Sequence, residues 1–179
     1  MFDEAPIGED VRTRLIFAGM RELEEHGVND FSLRRVAATA EVSCAAPYRH
    51  FKSREDLILA ILRFIRERFL LFCDAVRAAH GQEPTRLCVE LSLSMIRFWV
   101  SNPKLFSVLF LTTADAAYRA ELEAFDRPLA DALAAFGKTS QGTLALVWGY
   151  TVLFVRGAIE NSAATFRTVR SDLEREIQA

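Results

Sequence analysis

Apolar residues along this chain recur at intervals of three and four, and no stretch keeps the alternation of a half-buried strand. The pattern predicts an all-α protein. A first helix is read over residues 10–26, with Ile16, Met20 and Leu23 inward and Gly27 placed to end it. Ser32 is an N-cap for a short helix over residues 33–39, whose Val36 and Ala37 face inward. Ala40-Glu41-Val42 reads as a turn, and Ser43 as the cap of a third helix running through His50. Ser53, with Asp56 three residues on, opens a long helix that is apolar on two faces. Such a helix needs two sets of neighbours. It is expected to join an N-terminal module, residues 1–53, to a C-terminal one, residues 54–179.

Gly81 and Pro84 end the long helix. Beyond them the periodicity predicts helices over residues 85–101 and 104–111, divided by Asn102-Pro103, and over 116–136 with Pro128 as a possible kink. Gly137 then breaks the chain, and a mostly apolar helix over 140–164 is followed by a charged one over 166–177.

Composition agrees with a folded helical protein: 51% of the 179 residues are hydrophobic and 26% charged, which excludes disorder as the main state. The longest uncharged run, between Lys138 and Arg156, begins with Thr139, Ser140, Gln141, Gly142 and Thr143 and is too short in its apolar part to cross a bilayer. Three cysteines (Cys44, Cys73, Cys88), an odd number without metal-ligand spacing, and an acidic N-terminus without a secretory signal point to a reducing cytoplasm. Net charge is −2, yet its distribution is uneven. Residues 1–30 carry three arginines against eight acidic residues, whereas residues 32–54 carry Arg34, Arg35, Arg49, Lys52 and Arg54 against Glu41 alone. That patch is either a solvated basic face or an anion-binding surface.

Three short helices, the second and third separated by about three residues, form a helix-turn-helix arrangement. Ala37 is small where the two helices would cross, and Val42 is the apolar residue to fill the corner. A helix that enters a DNA groove needs small side chains at its start, here Ser43-Cys44-Ala45-Ala46, and anchoring groups at its end, here Tyr48, Arg49 and His50 with Lys52 and Arg54 beyond. With these features in place, residues 18–62, AGMRELEEHGVNDFSLRRVAATAEVSCAAPYRHFKSREDLILAIL, resemble the DNA-binding region of the TetR family of bacterial transcriptional repressors. The matching anchors are Ala18, Leu23, Glu25-His26-Gly27, Ser32-Leu33, Val36-Ala37, Ala40-x-Val42-Ser43, Tyr48-x-His50-Phe51 and Arg54-Glu55-x-Leu57. They hold their order and spacing over roughly a quarter of the chain. The stretch FWVSNPKLFSVLF, residues 98–110, is similar more weakly to one version of the family's second half.

The resemblance implies that Ser32, Tyr48, His50, Lys52 and Arg54 contact phosphates while Ser43, Cys44, Ala45, Ala46 and Arg49 lie nearest the bases; Arg34 joins them as part of the basic patch. It also implies a C-terminal helical domain that binds a ligand and forms the dimer. Two positions depart from the family pattern. Glu41 stands where the family has Gly in the turn, and a left-handed backbone there would cost on the order of 1 kcal/mol. Ala45-Ala46-Pro47 replaces the usual Gly-Thr/Ser-Leu before the tyrosine. Pro47 then falls in the first turn of a helix, where a missing N–H is tolerated. With so few bidentate donors at the helix start, specificity is expected to draw on thymine methyls and DNA shape.

Fourteen phenylalanines are more than a plain bundle needs. As a group, Phe64, Phe72, Phe98, Trp99, Phe106, Phe110, Phe125 and Trp148 are expected to line a pocket for a small apolar effector, with Arg97, Tyr150, Glu160 and Asn161 as candidates to orient it. The two C-terminal helices, with Gly149, Gly157 and Ala158, suit a homodimer seam. Cys44 reads as a small spacer, and His26 and His80 as helix-end residues. No metal, cofactor or catalytic pair is expected, because no nucleophile meets a base and no histidine meets further ligands. The chain is therefore read as a ligand-responsive regulator that binds palindromic operator DNA. A helical carrier for apolar molecules, with purely structural N-terminal helices, is the rival.

Overall fold

The computed structural model describes residues 10–111 and 116–179, and within them the chain forms helices joined by short connections. They are α1 (Val11–His26), α2 (Leu33–Thr39), α3 (Ala46–His50), α4 (Arg54–His80), α5 (Pro84–Ser101), α6 (Pro103–Leu111), α7 (Ala116–Ala135), α8 (Gln141–Val155) and α9 (Ala163–Gln178). No strand occurs among the described residues. Two compact units divide the chain: Met1–Glu67 with Lys104–Glu121, and Arg68–Pro103 with Leu122–Ala179. The divisions fall inside α4 and α7 and at the first residue of α6.

In the first unit, short-range chemistry sets the helix ends. Asp10 caps α1 by accepting from the Thr13 amide at 2.7 Å, and Gly27, at φ 72°, donates back to the Leu23 carbonyl at 2.9 Å. Ser32 caps α2 through the Arg35 amide. Ser53 does the same for α4 through the Asp56 amide at 3.2 Å, while Asp56 reaches back to accept from the Lys52 amide at 2.9 Å. The core of this unit is Leu15, Leu23, Val36, Ala37, Leu57, Ile61 and Leu62, each fully buried. At Gly19 the packing is close: a Cβ there would stand 2.7 Å from the end of the Ile61 side chain, which would have to shift.

Long-range polar contacts from Lys104, Glu121 and Tyr118 tie α6 and the start of α7 to the same unit. The Lys104 ammonium donates to the Glu24 and Glu25 carbonyls at the end of α1, where a cation also suits the helix dipole. On α7, the carboxylate of Glu121 is 4% exposed and is held by the Arg63 guanidinium at 2.9 Å and by Arg66. Tyr118 donates to the Glu55 carbonyl at 3.0 Å.

In the second unit α5 packs against α8 and α9, its Leu91, Met95, Ile96 and Trp99 are buried, and Arg170 of α9 donates to Glu90 of α5 at 2.8 Å. Helix α7 passes through Pro128 without ending, and the Arg77 guanidinium donates to the Pro128 carbonyl at 3.1 Å. In this unit α8 departs clearly from the sequence pattern. It stops at Val155 rather than at residue 164, and α9 starts three residues early behind the cap Ser162. Gly157, at φ 68°, turns the chain: its amide meets the Phe154 carbonyl at 2.9 Å and the Ala158 amide meets Leu153 at 2.9 Å. This is a Schellman end, which the uninterrupted run of apolar residues conceals.

Removing the carboxylate from the Arg63–Glu121–Arg66 cluster leaves two guanidiniums facing a partly closed site. Glu121→Ala is expected to lower stability by about 2 kcal/mol in a urea titration, less than a fully buried pair because Arg63 is half exposed. A loss below about 0.5 kcal/mol would show the cluster to be an ordinary surface pair.

Candidate nucleic-acid interface

The connection from α2 to α3 is a helix C-cap of the same kind that ends α8. The Glu41 amide bonds to the Ala38 carbonyl at 3.1 Å and the Val42 amide to the Ala37 carbonyl at 3.0 Å. Gly137 closes α7 in the same way, with Gly137 to Ala134 at 3.0 Å and Lys138 to Leu133 at 3.1 Å. Glu41 thus occupies the position that glycine fills at the ends of α7 and α8. At φ 54° it is the one non-glycine residue with positive φ among the described residues. The left-handed conformation expected at this position is therefore present, and a side chain is carried through it.

Beyond the turn, α3 begins at Ala46, later than a Ser43 cap would place it, and Ser43, Cys44 and Ala45 form the approach to the helix. Pro47 lies in the first turn and is buried together with Ala46, which is 8% exposed. No intrahelical donor is lost there. The surface is made by Ser43, Cys44, Ala45, Tyr48, Arg49 and His50, all exposed, with Tyr48 at 66%. Arg34 on α2 and Lys52 after α3 are exposed as well. Ser32 is half-buried and its hydroxyl accepts from the α2 backbone.

Two cations of the basic patch are used inside the unit. Arg35 donates to the buried Glu22 carboxylate at 2.8 Å, which also accepts from the Ser32 amide at 2.9 Å, so that α1 holds the start of α2. The Glu22 hydrogen bond raises the Arg35 pKa further above its ordinary value. Arg54 turns inward to the Val28 carbonyl, with its guanidinium 5.9 Å from the centroid of the Phe31 ring. The sequence alone counts both with the surface charges, and the structure leaves Arg34, Arg49 and Lys52 as its outward cations.

The expected ligand-pocket residues divide between the units. Phe64 packs edge-on to Phe17 at 5.1 Å and Phe106 is buried, both in the first unit. Phe98, Trp99, Phe125 and Trp148 come together in the second with Phe69, at centroid separations from 4.8 Å (Trp99 to Phe125) to 6.1 Å (Trp99 to Trp148). Phe72 is 53% exposed, Asn161 lies exposed in the α8–α9 connection, and the Phe110 side chain falls outside the described residues. Arg97 stands over the Phe166 ring and Tyr150 donates to Asp172, so both polar candidates have partners, while Glu160 is exposed. An open charged cleft of 610 Å³, lined by Glu83, Arg86, Glu90, Arg170 and Glu174 among others, involves none of these rings. Chemically the aromatic cluster is the more informative place. At its edge the Asp126 carboxylate accepts from the Trp148 indole at 3.1 Å, and burial raises its pKa to about 6. No periodicity marks Asp126; only the placement of α7 against Trp148 makes it distinctive.

Cys44 is exposed, whereas burial pushes the Cys73 thiol up to about 12 and that of Cys88 to about 11, leaving both unreactive. Among the described residues no group of three His, Cys, Asp or Glu side chains is arranged to hold a metal, and no helix is long and apolar enough to cross a membrane.

Residues 15–61 match the sequence model of the family described as bacterial regulatory proteins, tetR family. No curated protein matches the chain by sequence. Solved structures with similar folds include multidrug binding protein EbrR complexed with malachite green (23% identity, 93% of this chain and 98% of that one, TM-score 0.72). Another is a TetR transcription regulator from Haloarcula marismortui (18%, 94% and 97%, TM-score 0.71). A third is the transcriptional regulator FadR from Bacillus subtilis in complex with stearoyl-CoA (14%, 89% and 96%, TM-score 0.67). At these identities the likeness is one of fold.

Glu41→Gly is expected to raise the thermal midpoint, because glycine relieves a left-handed residue worth on the order of 1 kcal/mol and loses only part of that to chain entropy. An unchanged or lower midpoint would show that the turn is unstrained. Asp126 gives a signed pH effect. Its folded-state pKa lies above the unfolded one, so the folded protein holds a proton between about pH 4 and 6 that the unfolded chain releases. Its contribution to stability therefore falls as pH rises through that window. Asp126→Asn, which can still accept from Trp148, is expected to be more stable than the parent at pH 7.5 and to lose that advantage by pH 4; an equal advantage at both would contradict the burial.

Proposed function

We propose that this chain is a regulator of the tetR kind, whose family model its residues 15–61 match, and that it acts as a homodimeric repressor released from a palindromic operator by a small apolar molecule. The observation that carries the DNA half of this reading is the surface after the Glu41 turn. Small residues (Ser43, Cys44, Ala45) come first, followed by Tyr48, Arg49, His50 and Lys52, all solvent-facing beside Arg34. Small groups let the backbone approach base edges, while the ring hydroxyl, imidazole and cations suit phosphate oxygens on either side. The family resemblance also implies a phosphate contact for Arg54, whose guanidinium bonds inward to the Val28 carbonyl in the free protein. In this reading residues 1–53 bind DNA and residues 54–179 bind the effector and the second protomer.

The dimer reading rests on α8. This helix is apolar on every side, yet only Thr143, Val147, Thr151 and Phe154 are buried, a single stripe facing its own unit. Leu153 is 41% exposed, and a Cβ at Gly149 would meet nothing within 4 Å. Two copies packed through α8 and α9 would cover that face and give the dimer two α3 helices, one for each half-site of a palindrome. The effector reading rests on the Phe98, Trp99, Phe125 and Trp148 cluster. EbrR is complexed with malachite green and FadR with stearoyl-CoA, both with large apolar bodies, and the cluster here suits a molecule of that character. Asp126 at its edge would favour one that also carries positive charge.

The direct test is an electrophoretic shift of DNA upstream of the protein's own gene across a salt series. Binding is expected to weaken steeply with salt, and Lys52→Ala to reduce the slope by about 1 with similar losses on specific and random sequences. Retention of no fragment at low salt would favour a carrier function instead.

A further inference from the structure

We propose that Arg14 of α1 is a positioning residue for DNA recognition, supporting from behind a turn that lacks the usual glycine. The inference rests on the DNA-binding reading above. The two Schellman bonds take the carbonyls of Ala38 and Ala37, and the carbonyls of Ala40 and Glu41 are left without a helical amide. The Arg14 guanidinium supplies them, donating to the Ala40 carbonyl and, at 3.5 Å, to that of Glu41. Ala40 is 6% exposed, so water has poor access to replace this donor. The cation also stands at the negative end of the α2 dipole. Arg14 engages the backbone of Glu41, not its carboxylate, so the interaction would persist with any residue there.

Taken together, these contacts describe a compensated defect. Glu41 at φ 54° favours leaving the left-handed region, and departure would swing Val42 and the start of α3 out of register with α2. Arg14 opposes that departure by bonding the two carbonyls only when the turn is formed. Without it, the fraction of molecules with α3 correctly presented falls, and apparent DNA affinity falls in proportion. With glycine at residue 41 the turn no longer needs the support.

The experiment is a cycle of four proteins (parent, Arg14→Ala, Glu41→Gly and the double variant), each titrated against the same operator fragment at several salt concentrations and melted without DNA. Arg14→Ala is expected to lose affinity by at least about fivefold at an unchanged salt slope, and Glu41→Gly in the same chain to recover most of it. A salt slope reduced by about 1 without recovery would make Arg14 a phosphate contact and overturn the proposal. Unaltered affinity in Arg14→Ala would overturn it as well, as would failure of the double variant to fold. Should the parent bind no DNA, the regulatory reading fails separately. The melts still judge the coupling: Arg14→Ala must lower the midpoint more in the parent than in Glu41→Gly, and equal losses would refute it.

Discussion

The backbone at Glu41 is the constraint on which the candidate DNA surface depends. A single left-handed residue, with two cap hydrogen bonds reaching back into α2, decides where the chain goes next and hence which side of α3 faces solvent. Helix α1 braces both ends of α2 around that point. The Glu22 carboxylate holds the Ser32 amide and Arg35 at the start, and Arg14 holds the Ala40 carbonyl at the finish. Between them Val36 and Ala37 are completely buried, so α2 has little freedom to rotate. A short helix of seven residues would be marginal alone, and these tertiary contacts supply what its length cannot.

Charge is partitioned by the same geometry. The chain is weakly acidic overall, and a field of that sign would repel a polyanion at long range. Attraction must then be local, and the local cations differ in kind. Arg35 and Arg54 satisfy backbone carbonyls and a buried carboxylate, while Arg34, Arg49 and Lys52 remain in solvent. Three outward cations with Tyr48 and His50 form a small footprint. One such footprint would bind DNA weakly and with limited reach; two joined in a dimer would bind as a unit.

Much of this arrangement was legible from residue types. Ser32 and Ser53 cap the helices they precede, Gly27 ends α1, and Pro47 sits in the first turn of α3, because each of these depends on local chemistry. Glu41 was legible in the same way, as a residue where glycine would be comfortable. Other features depend on what the fold brings together from distant positions. Nothing near Arg54 in sequence announces the Val28 carbonyl, and Glu121 has no periodic signature that pairs it with Arg63 and Arg66. The end of α8 is hidden for a different reason: Ala158 and Ile159 continue the apolar pattern past Gly157. The aromatic residues illustrate the limit of composition. It identified rings in excess, but only folding sorts Phe98, Trp99, Phe125 and Trp148 into one cluster and leaves Phe72 in solvent.

One DNA surface per chain and a dimer through α8 and α9 would require two equivalent half-sites. Selection of bound sequences from random DNA by the purified protein tests this most directly. The account predicts an inverted repeat whose half-site centres lie about 10 base pairs, or a multiple of that, apart. Enrichment of a single unrepeated motif, or of no motif, would contradict it.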